Sequence, residues 1–320
     1  MRPMEAPPSI AGPAEVERAL WADADAAATP ASEVDAGEPA FRIVAPPPGV
    51  AASALVFASP HSGRIYPASL MAASHLDAAT IRQSEDCFVD ELVGAAPAHG
   101  VTLIAARLAR AWLDLNREPW ELDPGMFEDE LPPFARAYSA RVAAGLGAIA
   151  RIVSEGCEIY RRKLTFAEAQ SRVSGVHTPY HAALADLVEA ARLRHGLAVL
   201  IDWHSMPSAA APATAGGRGG CDIVLGDRFG AAASPAVTRR IESELRALGY
   251  RVARNAPYAG GYTTETYGRP AHGVHAVQIE VNRAIYLDEA RLQPTAGFGP
   301  LRADLERLAA TLSAVDWSRP

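Results

Sequence analysis

The chain is almost without lysine: of thirty cationic side chains only Lys163 is a lysine, and the remaining twenty-nine are arginines. That scarcity argues against Schiff-base catalysis and against a lysine-bearing phosphate loop. Gly216-Gly217-Arg218-Gly219-Gly220 lacks the following Lys-Ser/Thr such a loop requires. Cysteine is scarce too. Cys87, Cys157 and Cys221 are far apart and form no Cys-x-x-Cys, so neither a disulfide framework nor a thiolate zinc cluster is indicated. Each reads as a small core residue rather than a nucleophile. Positive charge is not in excess either; the net charge of −7 argues against a nucleic-acid binder. The start, through Glu5, Pro7 and Pro8, has no basic-then-apolar secretory pattern. No apolar run approaches the roughly 18 residues of a membrane span. The expectation is a cytoplasmic protein that contacts no membrane.

What is present is an α/β pattern. Residues 1–40, rich in Ala, Pro and acidic groups, read as an N-terminal extension, partly ordered at most, with a short helix around 14–24. Residues 41–320 read as one α/β/α domain. Apolar runs at 54–58, 101–105, 197–201 and 274–281 predict buried strands. Amphipathic stretches at 86–96, 179–194, 235–248 and 300–312 predict helices. Thr178-Pro179 and Ser234-Pro235 look like helix starts, and Gly196 looks like a stop. Strands alternating with helices favour a three-layer sandwich around a mixed, largely parallel sheet. Ligands bind such sheets outside the carboxyl ends of the strands, so the residues there come first. Gly-containing loops at 209–220 and 255–268 are either covers or plain connectors.

His61, in Ser-Pro-His-Ser-Gly, and His204, in Asp-Trp-His-Ser, each follow an apolar run. Two histidines at two strand ends are an economical way to converge on one zinc ion, though either alone could be an ordinary hydrogen-bonded residue. A third, carboxylate ligand would come from Glu85-Asp86, which could equally cap a helix. His177 and His181 are four apart but make no zincin helix, with Pro179 between them and no Glu after His177. The segment from Arg110 through Asp114, Asn116, Arg117 and Pro119 offers guanidinium and amide donors, either as a carboxylate clamp or as salt bridges within a loop. Glu280 lies in an otherwise apolar run, so it either pairs with an arginine or has a raised pKa suited to proton transfer.

These segments together resemble the N-formylglutamate amidohydrolase family. The likeness rests on Ser-Pro-His61-Ser-Gly, Glu85-Asp86-x-x-Val-Asp-Glu-Leu and Leu-Asp-Leu-Asn116-Arg117-x-Pro. It continues through Asp-x-His204-Ser, Gly260-Gly-Tyr262-Thr, Tyr267-Gly-Arg-Pro and Gly-Val-His275-Ala-Val-Gln-Ile-Glu280, covering about residues 55–290. The resemblance implies a fold similar to zinc carboxypeptidases and aspartoacylases, with a mixed eight-stranded sheet. It implies one Zn2+ held by His61, Asp86 (preferred over Glu85) and His204, with Glu280 as general base and Arg110 supporting the oxyanion. Asn116 and Arg117 would bind the substrate α-carboxylate, with Tyr262 and His275 also in motifs near the substrate. The implied reaction is hydrolysis of N-formyl-L-glutamate, or a related small anionic N-acyl amino acid, to formate and L-glutamate, a late step of one histidine-degradation route. A carboxypeptidase-like hydrolase of short peptides, or a non-catalytic binding protein of the same fold, are the alternatives. Asn282-Arg283, just after Glu280, departs from the family pattern.

Overall fold

The two most apolar runs become the two longest strands, Ala198–Met206 and Val274–Asn282, each buried along its whole length. The computed structural model describes residues 39–212 and 220–317. The expected extension, apart from residues 39 and 40, and residues 213–219, which include all of the glycine-rich run except Gly220, lie outside the described residues.

One seven-stranded sheet organises the chain. Its strands in chain order are β1 (Phe41–Val44), β2 (Leu55–Ser59), β3 (Thr102–Ala106), β4 (Ala198–Met206), β5 (Ile223–Gly226), β6 (Val252–Arg254) and β7 (Val274–Asn282). The spatial order is β1-β3-β2-β4-β7-β5-β6. The central pairs β3/β2, β2/β4 and β4/β7 are parallel, whereas β1 joins β3 and β5 joins β7 antiparallel. This is the mixed, largely parallel sheet that the pattern implied, with seven strands among the described residues rather than the eight implied by the resemblance. Short β1, β5 and β6 were not among the expected strands, because three or four residues leave too little periodicity to read.

Eight α-helices occur among the described residues: α1 (Ala68–Ala73), α2 (Val89–Leu92), α3 (Ala140–Ala143), α4 (Phe166–Arg172), α5 (Thr178–His195), α6 (Pro235–Ala247), α7 (Tyr262–Tyr267) and α8 (Phe298–Ser313). On one face, Tyr180, Leu184 and Val188 of α5 pack with Val56, Ile104, Leu200 and Ala276. On the other, Leu92 of α2, Ile241 of α6 and Leu305 of α8 pack with Phe57, Ile201, Trp203 and Ile279. Three layers result, with α5 on one face of the sheet and α2, α6 and α8 on the other.

Three local expectations need correction. The helix at 86–96 is only the single turn α2 followed by a 3-10 turn, Ala96–His99, because Phe88 is left-handed (φ 61°) and interrupts any helix starting at Asp86. Thr178 does not cap a helix. The chain is already helical from Phe166, where Thr165 and Glu168 form a capping box, and it passes through a π-helical turn, Val173–His177, into α5. Pro179 has no N–H to continue the regular ladder, and a widened turn absorbs that defect. His204 lies inside β4 rather than after its end, because pairing with β7 continues to Met206 opposite Asn282.

Candidate metal centre and active site

Alternation along β4 and β7 builds the floor of the site. Ala198 and Leu200, then Asp202 and His204, share one face of β4, since successive side chains alternate. Val274 and Ala276, then Gln278 and Glu280, do the same on β7. Parallel register sets Asp202 beside Gln278 and His204 beside Glu280. Each row is apolar where it meets α5 and polar towards the carboxyl end. Its neighbours Val199, Ile201 and Trp203 stay apolar on the opposite face.

Loops bring the other groups to this floor. After β2 the chain turns through His61-Ser62-Gly63. An added Cβ on Gly63 would stand 1.9 Å from the Leu108 carbonyl oxygen, so only glycine permits this approach. The Asp86 amide donates to the His61 carbonyl at 3.1 Å, which places the two residues side by side. The result is a buried group of three: His61, Asp86 and His204 each offer one ligand atom, all within 4.8 Å of one another.

Asp86 Oδ2 is 2.9 Å from His204 Nδ1 and 3.4 Å from His61 Nδ1, and the two Nδ1 atoms are 3.1 Å apart. The outer nitrogens are spoken for. His61 Nε2 donates to Asp114 Oδ1 at 2.6 Å, and His204 Nε2 lies 3.0 Å from Asp202 Oδ2 and 3.0 Å from Asn116 Nδ2. Asn116 Nδ2 donates to the same Asp202 oxygen at 3.1 Å. In the tautomer with both Nε2 atoms protonated towards their carboxylates, two Nδ1 lone pairs and a carboxylate oxygen face one another in a buried space. That donor set repels itself without a positive charge and suits a cation, with carboxylates fixing the ring orientations. The residues present therefore fit a bound metal ion.

The surrounding charges agree. Burial opposes ionisation of Asp86, yet the two histidines hold its pKa well below the ordinary carboxylate range. Burial likewise opposes Asp114, and Arg110, His61 and Arg117 overcome it. For His204, burial favours the neutral ring, but Asp202 and Asp86 pull its pKa well up, a demand for positive charge at that spot. Asp86 Oδ1 accepts from Arg283 at 3.1 Å, which leaves Oδ2 for the histidines. Arg283 also donates to the Glu85 carbonyl and to Ser205 Oγ. Glu85 turns away: its carboxylate accepts from Arg82, Tyr66 and Cys87. Asp86 is therefore the acidic member of the group.

Glu280 stands outside this group of three. Burial pushes its pKa up to about 7, with Asp86 adding to the shift and His204, Arg110 and Gln278 opposing it. Gln278 Nε2 donates to its Oε1 at 2.7 Å. A carboxyl group poised near neutrality can take up and return a proton at working pH.

A search against family models matches residues 53–287 to the N-formylglutamate amidohydrolase family. The chain belongs to the N-formylglutamate amidohydrolase family. The N-formylglutamate deformylase of Pseudomonas aeruginosa is 31% identical over 239 residues, 73% of this chain and 82% of that protein. The Pseudomonas putida N-formylglutamate deformylase is 29% identical over 207 residues, 64% of this chain and 71% of that protein. The crystal structure of an N-formylglutamate amidohydrolase from Ralstonia eutropha JMP134 superposes with a TM-score of 0.79 at 37% identity, covering 85% of this chain and 96% of that one. The chain is thus an amidohydrolase with a candidate His-Asp-His metal site. No helix among the described residues is long and apolar enough to cross a membrane.

Within this family framework the remaining site residues divide. Arg110 Nε donates to Asp114 Oδ2 at 2.9 Å, and the guanidinium feels the charges of Asp86 and Glu280. Arg117 Nε donates to the Leu146 carbonyl and Nη1 to the Asn116 carbonyl. Asn116 is buried, and besides its bond to Asp202 its Oδ1 accepts from the Thr263 amide at 2.8 Å. Tyr262 donates its amide to the Asn116 carbonyl at 3.4 Å. A Cβ on Gly261 would meet the Asn116 side chain at 2.5 Å, so the Gly-Gly-Tyr-Thr segment needs its second glycine to close on Asn116. His275 is not brought to this group. It lies on the opposite face of β7 from Glu280, and its Nδ1 accepts from the Ser234 amide at 3.2 Å.

Asp114, Asp202, Gln278 and Arg283 were given no role from the sequence. Three of them had a signal. Asp114-x-Asn116, Asp202-x-His204 and Gln278-x-Glu280 each repeat at a spacing of two, which in an extended segment puts both polar groups on one side.

Proposed function

We propose that this amidohydrolase cleaves the formyl amide of N-formyl-L-glutamate, or of a closely related N-acyl amino acid, with one zinc ion held by His61, Asp86 and His204. The observation that carries the reading is the convergence of two Nδ1 atoms and one carboxylate oxygen, whose outer partners are buried carboxylates, beside a carboxyl group with a pKa of about 7. Two imidazoles and a carboxylate form a common zinc set that keeps a position open for chemistry. When bound there, zinc supplies Lewis-acid polarisation of the acyl carbonyl and acidifies water.

The chain's own residues do the rest. Glu280, next to His204 across the β4/β7 pair, accepts the proton of the attacking water and later returns it to the leaving amino nitrogen. Arg110, fixed by Asp114, places positive charge where the oxyanion develops. Arg117 provides the guanidinium for the substrate α-carboxylate, and Asn116, whose amide is committed to Asp202 and Thr263, holds the backbone from which Arg117 extends. Asp114 and Asp202 keep both ligand imidazoles turned with Nδ1 inward.

The test is acyl release by zinc-loaded protein: formate from N-formyl-L-glutamate and N-formyl-L-leucine, and acetate from N-acetyl-L-glutamate. Preferential formate release from the first supports the reading. Zinc-loaded protein that cleaves none of the three would overturn it.

A further inference from the structure

A second pair of histidines lies under the segment that carries Arg117. His177 ends the π-helical turn and His181 lies in the first turns of α5. Both rings are buried, 4.3 Å apart, and each packs against the ring of Tyr262. His181 Nε2 donates to the Leu115 carbonyl at 2.8 Å, and His177 Nε2 donates to the Arg117 carbonyl at 3.0 Å. The two accepting carbonyls flank Asn116 on either side.

His177 explains itself only through that bond. Its Nδ1 is a buried acceptor with no partner among the described residues, a net cost that an apolar ring of similar size would avoid. Burial lowers its pKa to about 4, so the ring is neutral and carries a single N–H. That N–H goes to the backbone of the residue read as the carboxylate clamp.

We propose that His177 is a positioning residue for Arg117, fixing the peptide from which the guanidinium reaches substrate, and that His181 does the same for the Asn116 side of the segment. The proposal rests on the reading of Arg117 as the substrate-carboxylate group. The Nε2 atoms of His177 and His181 are turned to carbonyls, and neither residue belongs to the His61, Asp86 and His204 group.

The test compares His177→Phe, His177→Gln and Arg117→Ala in steady-state kinetics with zinc-loaded protein, with zinc content and urea unfolding measured alongside. Phenylalanine fills the space without the donor, whereas the glutamine amide can reach the position of Nε2. We expect His177→Phe to raise KM about fivefold to tenfold, the loss of one hydrogen bond, with kcat within about twofold and zinc content unchanged. His177→Gln restores KM. A purely structural role would lower unfolding stability without this split between KM and kcat. If Arg117→Ala raises KM but His177→Phe does not, the proposal is overturned alone. If Arg117→Ala leaves KM unchanged, the clamp falls and the proposal with it. Should His177→Phe fail to fold, His177→Asn, whose amide sits nearer the Nδ1 position, replaces it. A KM equal to that of His177→Gln would then overturn the proposal.

Discussion

Replacing Asp114 by asparagine changes one atom and disturbs three hydrogen bonds. Asp114 Oδ1 accepts from His61 Nε2 at 2.6 Å and from the Asn116 amide at 2.8 Å, while Oδ2 accepts from Arg110 Nε at 2.9 Å. The side chain is 3% exposed, so water cannot substitute for a lost partner. An asparagine offers one accepting oxygen. Kept at the Oδ1 position, it serves His61 and Asn116 and turns an NH2 group against the Arg110 N–H. Flipped, it turns that group against His61, which must then move its proton to Nδ1 and lose the lone pair needed for a metal. The first orientation costs one charged hydrogen bond, about 1.5–3 kcal/mol. The lower end of that range applies, because the Arg110 side chain is 23% exposed and water relieves it in part. Even in this orientation His61 faces a neutral amide instead of a carboxylate and becomes a poorer ligand. Loss of such an outer partner costs about 10–100-fold in metal affinity. The assay is zinc competition against a chromophoric chelator, with urea unfolding of both proteins under the same conditions. A variant that binds zinc as tightly as the parent would refute the argument that Asp114 sets the donor strength of His61. Unchanged unfolding stability would refute the assigned cost of Arg110.

Three further outcomes follow from the same geometry. Glu280→Gln retains zinc by elemental analysis yet loses about 10²–10⁴-fold in kcat, the range of general acid–base catalysis. Because the Glu280 carboxyl is raised to about 7 by burial and the base must be ionised, kcat/KM rises with pH towards that value and then levels. A bound dication favours the carboxylate, so the midpoint in loaded enzyme lies below 7, and a rate that falls across pH 5–7 contradicts this assignment. Gly63→Ala drives a Cβ to 1.9 Å from the Leu108 carbonyl oxygen. Chemical denaturation should show a loss of at least about 1–3 kcal/mol, the scale of overpacking, accompanied by reduced zinc content as His61 shifts.

Much of the site was legible because it sits on two strands. The apolar run ending at Ile201 pointed to His204 just beyond it, Glu280 stood out as a polar intruder in the run 274–281, and a parallel sheet made them neighbours. The same count of two places Ala276 and Val274, not His275, on the side of Glu280, so the facing of His275 was already available in the sequence. Hydrogen-bond partners were harder to read. Asp114 and Asp202 stood inside recognised motifs, but periodicity cannot tell which imidazole nitrogen a carboxylate will face. Arg283 was visible only as a departure from the family pattern. In the fold it is the cation that holds Asp86 Oδ1, a contact between residues 197 positions apart. The interrupted helix after Asp86 was hidden for a different reason: Phe88 is left-handed, with its ring against Phe298 and under Arg64, and nothing in the helical spacing announces it. The π-helical turn before α5 read as a helix start because Thr-Pro is a good start signal wherever it falls.

The central claim is that one metal ion, held by His61, Asp86 and His204, is required for amide hydrolysis. The most direct measurement is zinc bound per chain set against formate released from N-formyl-L-glutamate. It is made on one preparation as isolated, after chelation, and during stepwise return of zinc, with His204→Ala alongside. Activity should rise in proportion to bound zinc and saturate at one equivalent, while His204→Ala should bind zinc weakly and stay inactive. Undiminished formate release from chelated protein, or saturation of activity by zinc in His204→Ala as in the parent, would contradict the claim.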